Sequence, residues 1–462
     1  MSDKMAIINA LRSVLSAEDL LVGDDISEKY HQDWSGEKGG EISVVVLPRN
    51  TETISQILRV CNERGCPVVP QGGLTGLAGG ATPVDGCVVI SMERMKGIIE
   101  IDGISGTMTV WAGTPLQVVQ EAAEEAGFFF ALDLGARGSC QIGGNIATNA
   151  GGNRVIRYGM ARDLVLGLEV VLADGTILSM LNKMVKNNAG PDLKQLFIGA
   201  EGTLGVITKA VVKLHPQVNG ANTALMALEN FSGVEQLLVY AQQQLSGQVS
   251  AFEVMWQSYY KEAVTDGGIR APLPADYPVY VLMDQQSANP SMQAEQFQAV
   301  LEYALEQGWV VDAAIAQTHA DAESFWELRD AIAELLQSYA PTINFDISFP
   351  ISSIGHCAEV LKEIMETRFA GVRAMFFGHV GDGNIHVVVG PIPDNATALA
   401  IEAAFYEVVC ENNGSVSAEH GIGLHKKPWL SYSRSSTEIQ TLKLMKQALD
   451  PKNILNPGKI QD

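Results

Sequence analysis

The chain has 462 residues, of which 47% are hydrophobic and 18% are charged, which is enough apolar material for more than one hydrophobic core. Its 53 acidic and 31 basic residues give a formal net charge of -22 at pH 7, which argues against nucleic acid or an anionic membrane as a partner. An anionic substrate would need a local positive site, from an arginine or a metal ion.

Targeting and redox signals are weak in this sequence. The amino terminus has no signal-peptide pattern, and no apolar run approaches the roughly 18 residues of a membrane-spanning helix. The six cysteines are scattered without a CxxC spacing, which is typical of reduced thiols. We therefore expect a cytoplasmic protein.

The first part of the chain predicts an α+β unit. Residues 41–73 indicate a strand, a helix and a second strand, which together form a β-α-β unit. Further strands lead to a helix opened by a Thr-Pro pair and to a hairpin with an Asp-Gly turn. A last strand ends near residue 216. We therefore predict a first domain at residues 1–218.

The rest of the chain predicts a second domain and a tail. Beyond about residue 222, long helical patterns alternate with apolar strands, which indicates helices laid on a sheet. We place this α/β domain at residues 219–416. The remaining residues, 417–462, are more polar and read as a helical carboxyl-terminal segment.

Three glycine-rich segments fall within the first domain. The first, PQGGLTGLAGG at residues 70–80, follows a strand, and the others lie at 134–159 and 197–208. Glycine allows backbone N–H groups to turn inward around an anion. None of the segments has the GxGxxG-helix or GK[ST] pattern of common nucleotide loops. Three such loops together suit a long ligand with a diphosphate centre, although each alone could be an ordinary turn.

Two histidines lie at the two ends of one predicted hairpin turn. In GHVGDGNIH, His379 and His386 are separated by Gly, Asp and Asn residues that favour a tight turn between apolar strands. Neutral imidazoles with a carboxylate are typical ligands of zinc or a similar divalent metal. Glu419 and His420, in SAEHGIG, offer a third ligand. The residues alone leave open an alternative in which these histidines only form hydrogen bonds within the hairpin.

These motifs resemble a known superfamily. PQGGLTGLAGG, GGNIATNAGG and EGTLGVIT are similar to the FAD-binding segments of the vanillyl-alcohol oxidase/p-cresol methylhydroxylase (PCMH) superfamily, and the similarity continues to LDPKNILNPGKI. The nearest group is the D-2-hydroxyacid dehydrogenases, and within it those that act on D-2-hydroxyglutarate. The resemblance implies an α+β protein: a two-part PCMH-type FAD-binding domain, a substrate domain of the FAD-linked oxidase type, and a carboxyl-terminal segment that closes on the flavin.

The resemblance also implies how FAD is held. Some superfamily members attach the flavin through a His or Cys, but this chain has Leu74 at the linker position, so we expect non-covalent FAD. Cys140 is expected to be a small packing residue. The residues predicted to contact FAD are Pro70, Gln71, Gly72, Gly73, Leu74, Thr75, Gly76, Gly79, Gly80, Leu134, Gly138, Ser139, Ile142, Gly143, Gly144, Asn145, Thr148, Gly152, Gly202, Val206, Ile207 and Asn456.

The same resemblance implies catalytic roles for the histidine motifs. It implies that His379, His386 and Glu419 bind Zn²⁺ or another divalent metal and that His420 is the catalytic base. A metal bound to the substrate's hydroxyl and carboxylate oxygens lowers the hydroxyl pKa. A neutral histidine can then accept the proton while flavin N5 receives the α-hydrogen as hydride.

The implied substrate residues include two departures from the family. Arg329 resembles the arginine that binds the substrate carboxylate, and Asn384 is expected to form the turn or contact the substrate. Ala333 stands where relatives have Thr, and Asn344 where they have a Lys that meets the distal carboxylate. The resemblance implies D-2-hydroxyglutarate as the substrate, but these two departures leave open a different way of binding it or a preference for a smaller acid such as D-malate or D-lactate.

Other functions and partners stay open at this stage. The residues also allow a metal-dependent hydrolase, an oxygen-using oxidase or a non-catalytic flavin module. The absence of haem and NAD motifs implies an electron-accepting protein, such as an electron-transfer flavoprotein, or a quinone; a homodimer is allowed. Lys426 and Lys427, which follow the His420 motif, are expected to be solvated.

Overall fold

The computed structural model describes residues 2–461, which form two compact units. Within these residues, the first unit comprises 2–151, Gly159–Pro216 and 419–461. The second unit comprises Gln217–Ala418 together with Gly152–Tyr158, a short stretch that lies within the first unit in sequence. The chain therefore leaves the first unit and returns to it for its last segment.

The first unit contains a four-stranded and a five-stranded sheet. Its strands are β1 Leu20–Leu21, β2 Ile42–Val46, β3 Val68–Gln71, β4 Cys87–Ser91, β5 Ile98–Asp102, β6 Thr107–Trp111, β7 Phe128–Phe129, β8 Val165–Val171, β9 Ile177–Met180, β10 Val206–Lys213 and β11 His215–Pro216. Its helices are α1 Ser2–Leu11, α2 Thr51–Arg64, α3 Leu116–Glu125, α4 Ile142–Ala147, α6 Ala161–Leu164 and α14 Ser436–Leu449.

The four-stranded sheet contains the predicted β-α-β unit. Its order is β1-β2-β4-β3, and β2, β4 and β3 run parallel. The crossover helix α2 begins because Asn50 caps it through a bond from the Thr53 N–H, and it ends at Gly65, which has a φ of 63°. The free edge of β3 is covered by the carboxyl-terminal segment, since the Val68 N–H donates to Ile454 O at 2.7 Å.

The five-stranded sheet is antiparallel, with order β5-β6-β10-β8-β9. The predicted Asp-Gly hairpin is its β8–β9 edge, and Gly175 has the φ of 82° that this turn requires. The last strand ends earlier than predicted. β10 stops at Lys213, and His215–Pro216 forms a separate two-residue strand paired with β7.

The second unit is one seven-stranded sheet with order β15-β12-β14-β13-β17-β18-β16, and its neighbouring strands are antiparallel. Its strands are β12 Gly220–Leu228, β13 Val249–Trp256, β14 Val279–Ser287, β15 Asp312–Ile315, β16 Ile343–Ser348, β17 Arg373–Gly378 and β18 Asn384–Gly390. Its helices are α5 Val155–Tyr158, α7 Phe231–Gln244, α8 Gln257–Thr265, α9 Pro290–Glu306, α10 His319–Asp330, α11 Ile332–Tyr339, α12 Ile354–Arg368 and α13 Asn395–Glu411.

The register of this sheet determines which side chains share a face. His386 on β18 lies directly opposite Phe377 on β17 and Asp346 on β16, so the three side chains point the same way. Met255 on β13 is opposite Phe377, and Glu253, two residues earlier, therefore shares this face. Helices α8, α10 and α11 pack their apolar residues against the same core cluster.

The predicted α+β class is confirmed by this mixture of sheets and helices. Among residues 2–461, no helix combines the length and the apolar character that crossing a membrane requires.

Candidate active site

The three glycine-rich segments meet in the first unit. A Cβ added to Gly73 would lie 2.0 Å from Ser139 O, so the first segment packs directly against the second. A Cβ on Gly202, which has a φ of 73°, would lie 2.6 Å from Pro70 Cγ, which brings the third segment to the end of β3. Backbones can approach this closely only where side chains are absent.

Helix α4, in the second segment, has two adjacent glycines with different surroundings. A Cβ on Gly143 would lie 2.7 Å from Ala112 Cβ, so packing within the protein requires glycine there. At Gly144 a Cβ would meet nothing within 4 Å, and the residue has an ordinary helical backbone. A glycine inside a helix costs about 1 kcal/mol relative to alanine, so this position is unfavourable for the protein alone. The gap left by the missing side chain suits the close approach of a ligand.

Three non-glycine residues with a positive φ lie in these segments, and a further one is Asn456 in the carboxyl-terminal segment. Leu74, Asn149, Glu201 and Asn456 have φ angles of 58°, 50°, 49° and 42°, respectively. A non-glycine residue in the left-handed region costs roughly 1–2 kcal/mol. Strained residues of this kind persist only where the surrounding structure holds them in place. They are common in ligand-binding loops.

Four buried side-chain amide oxygens, three in these segments and one in the carboxyl-terminal segment, accept no hydrogen bond from the described residues. They belong to Gln71, Gln141, Asn145 and Asn456. An amide oxygen without a donor costs about 1–3 kcal/mol when it is buried. FAD carries donors that could satisfy such oxygens, namely ribose and ribityl hydroxyls, the adenine amine and the flavin imide N–H. The donor set and the gap at Gly144 therefore fit FAD.

The predicted FAD-contacting residues all belong to the first unit except Gly152, which groups with the second. Their contacts with FAD stay a prediction. Cys140 is buried, as expected for a packing residue, and all six cysteines are unpaired.

Glu201, which sequence analysis did not single out, is the central carboxylate of the first unit. It is 8% exposed, and its Oε1 and Oε2 accept from the backbone N–H groups of Ile422 and Gly423 at 2.7 and 2.8 Å. Burial raises the pKa of Glu201, although these two hydrogen bonds oppose the shift. The predicted base, His420, lies two residues before Ile422. The only sequence signal was an acidic residue within a glycine-rich segment.

The carboxyl-terminal segment is bound to the glycine loops by buried polar groups. The Asn456 side chain donates to Gly80 O at 2.9 Å and to Glu201 O at 2.7 Å. Lys459 is 1% exposed and donates to Thr82 O at 2.8 Å. The prediction that Lys426 is solvated was wrong, because its side chain is 5% exposed.

The histidine hairpin is present in the second unit. β17 and β18 are joined by a 3-10 turn, Val380–Asp382, and Gly383 has the φ of 97° that closes it. His379 and His386 lie at its two ends, and their ring centroids are 5.2 Å apart. Both side chains are buried, so the turn brings two imidazoles to one place, as predicted from the spacing.

Glu253 binds both His379 and Arg329. Its Oε1 lies 2.7 Å from His379 Nδ1, and its Oε2 accepts from Arg329 Nε at 2.6 Å. Arg329 Nη2 lies 3.4 Å from His379 Nε2. Sequence analysis missed Glu253, which lies 126 residues from His379. A usable signal was present, because Glu253 is the only charged residue in VSAFEVMW, whose eight residues are all buried.

The electrostatics of this cluster fix its ionisation. Burial by itself raises the pKa of Glu253, but the pairing with His379 and Arg329 lowers it to about 2. The ionised carboxylate only accepts hydrogen bonds, so His379 carries its hydrogen on Nδ1. In the neutral imidazole this leaves the lone pair on Nε2, the nitrogen that would bind a metal ion. Burial lowers the pKa of Arg329, but Glu253 more than offsets this, so the guanidinium keeps its charge.

Asp346 lies next to the second histidine. Its Oδ1 is 3.9 Å from His386 Nδ1 and accepts from Asn384 Nδ2 at 2.9 Å. Sequence analysis assigned Asn384 to the turn or the substrate, whereas its amide binds this carboxylate. Asp346 was missed, although it is the only charged residue of its strand.

The chain itself links Asp346 to the predicted third ligand. The Ala418 N–H donates to Asp346 O at 3.1 Å. Glu419 is the next residue in the sequence. Glu419 and His420 open the last segment of the first unit.

The two substrate positions that depart from the family lie at the surface of the second unit. Asn344 shares a sheet face with Asp346 and is exposed, and Ala333 on α11 is also exposed. Neither can supply a positive charge. Within the second unit, Arg329 is the predicted substrate residue that can.

Comparisons with known proteins match both parts of the chain. Residues 42–180 match the family described as FAD binding domain, and residues 219–460 match FAD linked oxidases, C-terminal domain. A probable mitochondrial D-2-hydroxyglutarate dehydrogenase of Oryza sativa subsp. indica is 39% identical, over 98% of this chain and 81% of the relative. The D-2-hydroxyglutarate dehydrogenase of Stutzerimonas stutzeri (strain A1501) is 34% identical, over 98% of each chain.

A solved structure shares the fold at low sequence identity. The crystal structure of p-cresol methylhydroxylase with substrate bound superposes with a TM-score of 0.77 and 16% identity, over 100% of this chain and 97% of that one. This likeness shows a shared fold, and the predicted relationship to FAD-linked dehydrogenases is confirmed by the two family matches and the relatives. The chain belongs to the FAD-linked oxidase family that includes the D-2-hydroxyglutarate dehydrogenases, and it is an FAD-dependent D-2-hydroxyacid dehydrogenase.

Proposed function

We propose that this enzyme oxidises D-2-hydroxyglutarate, or a closely related D-2-hydroxyacid, to the 2-oxoacid. The observation that carries the proposal is the Glu253 cluster, in which one buried carboxylate fixes both a cationic guanidinium and an oriented imidazole. A 2-hydroxyacid needs a cation for its carboxylate and a Lewis acid for its hydroxyl, and the oriented imidazole would bind the metal that supplies the second. The D-2-hydroxyglutarate dehydrogenases among the relatives support the substrate class.

FAD, when bound, supplies the acceptor for the α-hydrogen of the substrate as hydride. The glycine segments of the first unit would hold it non-covalently through backbone groups, since Leu74 offers no atom for a covalent link. The orphaned amide oxygens of Gln71, Gln141, Asn145 and Asn456 would accept from its donors. Precipitation of the protein with acid should therefore release all of the flavin into the supernatant.

A divalent metal, with zinc as our proposal, supplies a Lewis acid that lowers the pKa of the substrate hydroxyl. His379 and His386 would bind it, and Glu419 would complete the set. Glu253 orients His379, and Asp346 lies beside His386, which is the arrangement that tunes metal-binding histidines. We expect Glu253→Gln to lower the affinity for Zn²⁺ about 10- to 100-fold in a chelator competition.

Protein groups perform the remaining steps. Arg329 would hold the substrate's α-carboxylate through the N–H groups that Glu253 does not use. His420 would accept the hydroxyl proton as the hydrogen at the neighbouring carbon leaves. His420→Ala should lower kcat by about 100- to 10,000-fold, the range typical of a lost general base.

A panel of D- and L-2-hydroxyacids tests the proposal. Reduction of an artificial dye is measured for each acid, with and without prior chelation and metal restoration. We expect turnover with D-isomers, loss on chelation and recovery with Zn²⁺. A preference for L-isomers would defeat the substrate assignment, and an unchanged rate after chelation would defeat the metal role.

The distal end of the substrate has no charged residue proposed to bind it. Asn344 can donate a hydrogen bond to a second carboxylate but adds no charge, so D-malate and D-lactate are the alternatives in the panel. Peroxide release in air, compared with dye reduction, separates an oxidase from the dehydrogenase. An electron-accepting protein or quinone, a homodimer and a cytoplasmic location stay predictions, and no observation favours a hydrolase.

A further inference from the structure

The Glu201 carboxylate is enclosed by a turn of the carboxyl-terminal segment. Both of its oxygens accept from successive backbone N–H groups, those of Ile422 and Gly423. Consecutive N–H groups that point to one anion form a nest, a strong form of carboxylate binding. Gly421 and Gly423 have φ angles of 85° and 51°, which allow the turn. This turn begins directly after His420.

The turn has little freedom to move away. A Cβ on Gly421 would lie 2.9 Å from Glu201 Oε1, and one on Gly423 would lie 2.0 Å from Ala78 O. On the other side of the turn, the Leu424 N–H donates to Ala78 O at 2.8 Å. The turn is therefore held between the Glu201 carboxylate and the first glycine segment.

The backbone of Glu201 is anchored to the predicted flavin segments. Its N–H donates to Ala147 O, at the end of α4, at 2.8 Å, and its carbonyl accepts from Asn456 Nδ2 at 2.7 Å. The same Asn456 amide donates to Gly80 O. Glu201 thus joins the glycine helix, the first glycine loop and the turn that follows His420.

The backbone conformation and the burial of Glu201 both lower the stability of the folded protein. Glu201 holds a φ of 49° and buries a carboxylate whose hydrogen-bond donors are neutral N–H groups, although the charges of Lys426 and Lys459 favour its ionised form. Strained, buried charges persist where the rest of the structure fixes them, and they are common at functional sites.

We propose that Glu201 is a positioning residue, which sets the place of the His420 base relative to the flavin by holding the turn 421–423. The inference rests on the proposed role of His420. Removing one or both of the bonds should leave the flavin bound but let the base drift, and a displacement of about 1 Å can cost about 100-fold in rate.

The variants are Glu201→Gln, which keeps one acceptor oxygen, and Glu201→Ala, which removes both. The matched control is Glu169→Gln, because Glu169 is also buried in the first unit but binds Thr51, Thr208 and Lys209 instead. We expect kcat per bound flavin to fall roughly 10- to 100-fold in Glu201→Gln and further in Glu201→Ala. KM should change little, and the pH profile of kcat should shift. The control should keep the native profile.

A second measurement does not depend on turnover. Hydrogen–deuterium exchange at the amides of Ile422 and Gly423 should speed up in both Glu201 variants and stay slow in Glu169→Gln. Native kcat and pH profile in Glu201→Gln, or native exchange at these amides, would overturn the proposal. So would loss of flavin with unchanged kcat per flavin, since Glu201 would then serve cofactor retention. If the native enzyme oxidised no 2-hydroxyacid, the proposed function would fail, and the exchange result would still decide whether Glu201 holds the turn.

Discussion

The two units build their candidate sites from different materials. In the first, the predicted FAD site consists mainly of backbone: glycines in close contact, strained φ angles and carbonyl or amide groups. In the second, the site consists of buried ionisable side chains, with Glu253 between Arg329 and His379. A backbone site depends on which side chains are absent, whereas a side-chain site depends on every partner being present. Adding a side-chain atom should therefore damage the backbone site, whereas removing a charge should damage the side-chain site.

The largest effect is expected from Glu253→Gln. The change removes the closer and buried counter-ion of the Arg329 guanidinium and leaves only the exposed Asp330 at 3.9 Å, and breaking a buried ion pair costs about 3–5 kcal/mol. Urea unfolding at pH 7 would measure the loss. The control is Glu359→Gln, which breaks the exposed pair with Lys362 and should cost less than about 0.5 kcal/mol. Equal losses in the two variants would mean that the cluster has no special role in stability.

The pH dependence of that difference is the second prediction. The pKa of Glu253 is lowered from 4.5 to about 2, so the native state favours the ionised form. The resulting stabilisation, about 3 kcal/mol, is fully present above pH 4.5 and is lost as the pH falls towards 2. The gap in unfolding free energy between the native chain and Glu253→Gln should thus shrink as the pH falls from 4.5 towards 2. A gap that widened in acid would contradict the prediction.

The backbone site should respond to an added methyl group. Gly144→Ala should stabilise the apoprotein by about 1 kcal/mol, because alanine favours the helix and the space is open. The same methyl group should raise the Kd for FAD about 10-fold or more, a loss of about 1.4 kcal/mol in binding. Titration of apoprotein with FAD, followed by flavin fluorescence, gives the Kd. Gly143→Ala is the counterpart, and it should destabilise the apoprotein because Ala112 fills the space. Unchanged FAD affinity in Gly144→Ala would remove that glycine from the site.

The smallest effect concerns substrate choice. Asn344→Lys would restore a charge at an exposed position of the face that carries Asp346. One charge-assisted hydrogen bond in a solvated place contributes about 1 kcal/mol, so kcat/KM for D-2-hydroxyglutarate should rise about 5-fold relative to D-lactate. Steady-state kinetics on both acids measures the ratio. No change in the ratio would place the distal carboxylate away from Asn344.

The sequence predicted the local motifs of both sites but not the partners that lie far away in sequence. Glycine segments and a histidine hairpin are local patterns, so the fold class, the FAD-linked family and the meeting of His379 with His386 could be predicted. Glu253 and Asp346 could not be paired with their histidines, because only the order of strands in the sheet brings them together. Lys426 was misjudged for a similar reason: a lysine pair after a loop is usually solvated, and nothing local shows that one member is buried.

The return of residues 419–461 to the first unit has a consequence for biosynthesis. Strand β3 leaves the ribosome early, but the backbone groups on its open edge, at Val68, find their partners only at Ile454 and Asn456. Until then the nascent chain carries an unpaired strand edge next to an incomplete ligand loop, a known aggregation hazard. We therefore expect flavin uptake to begin only after Ile454 and Asn456 have left the ribosome and paired with the edge of β3.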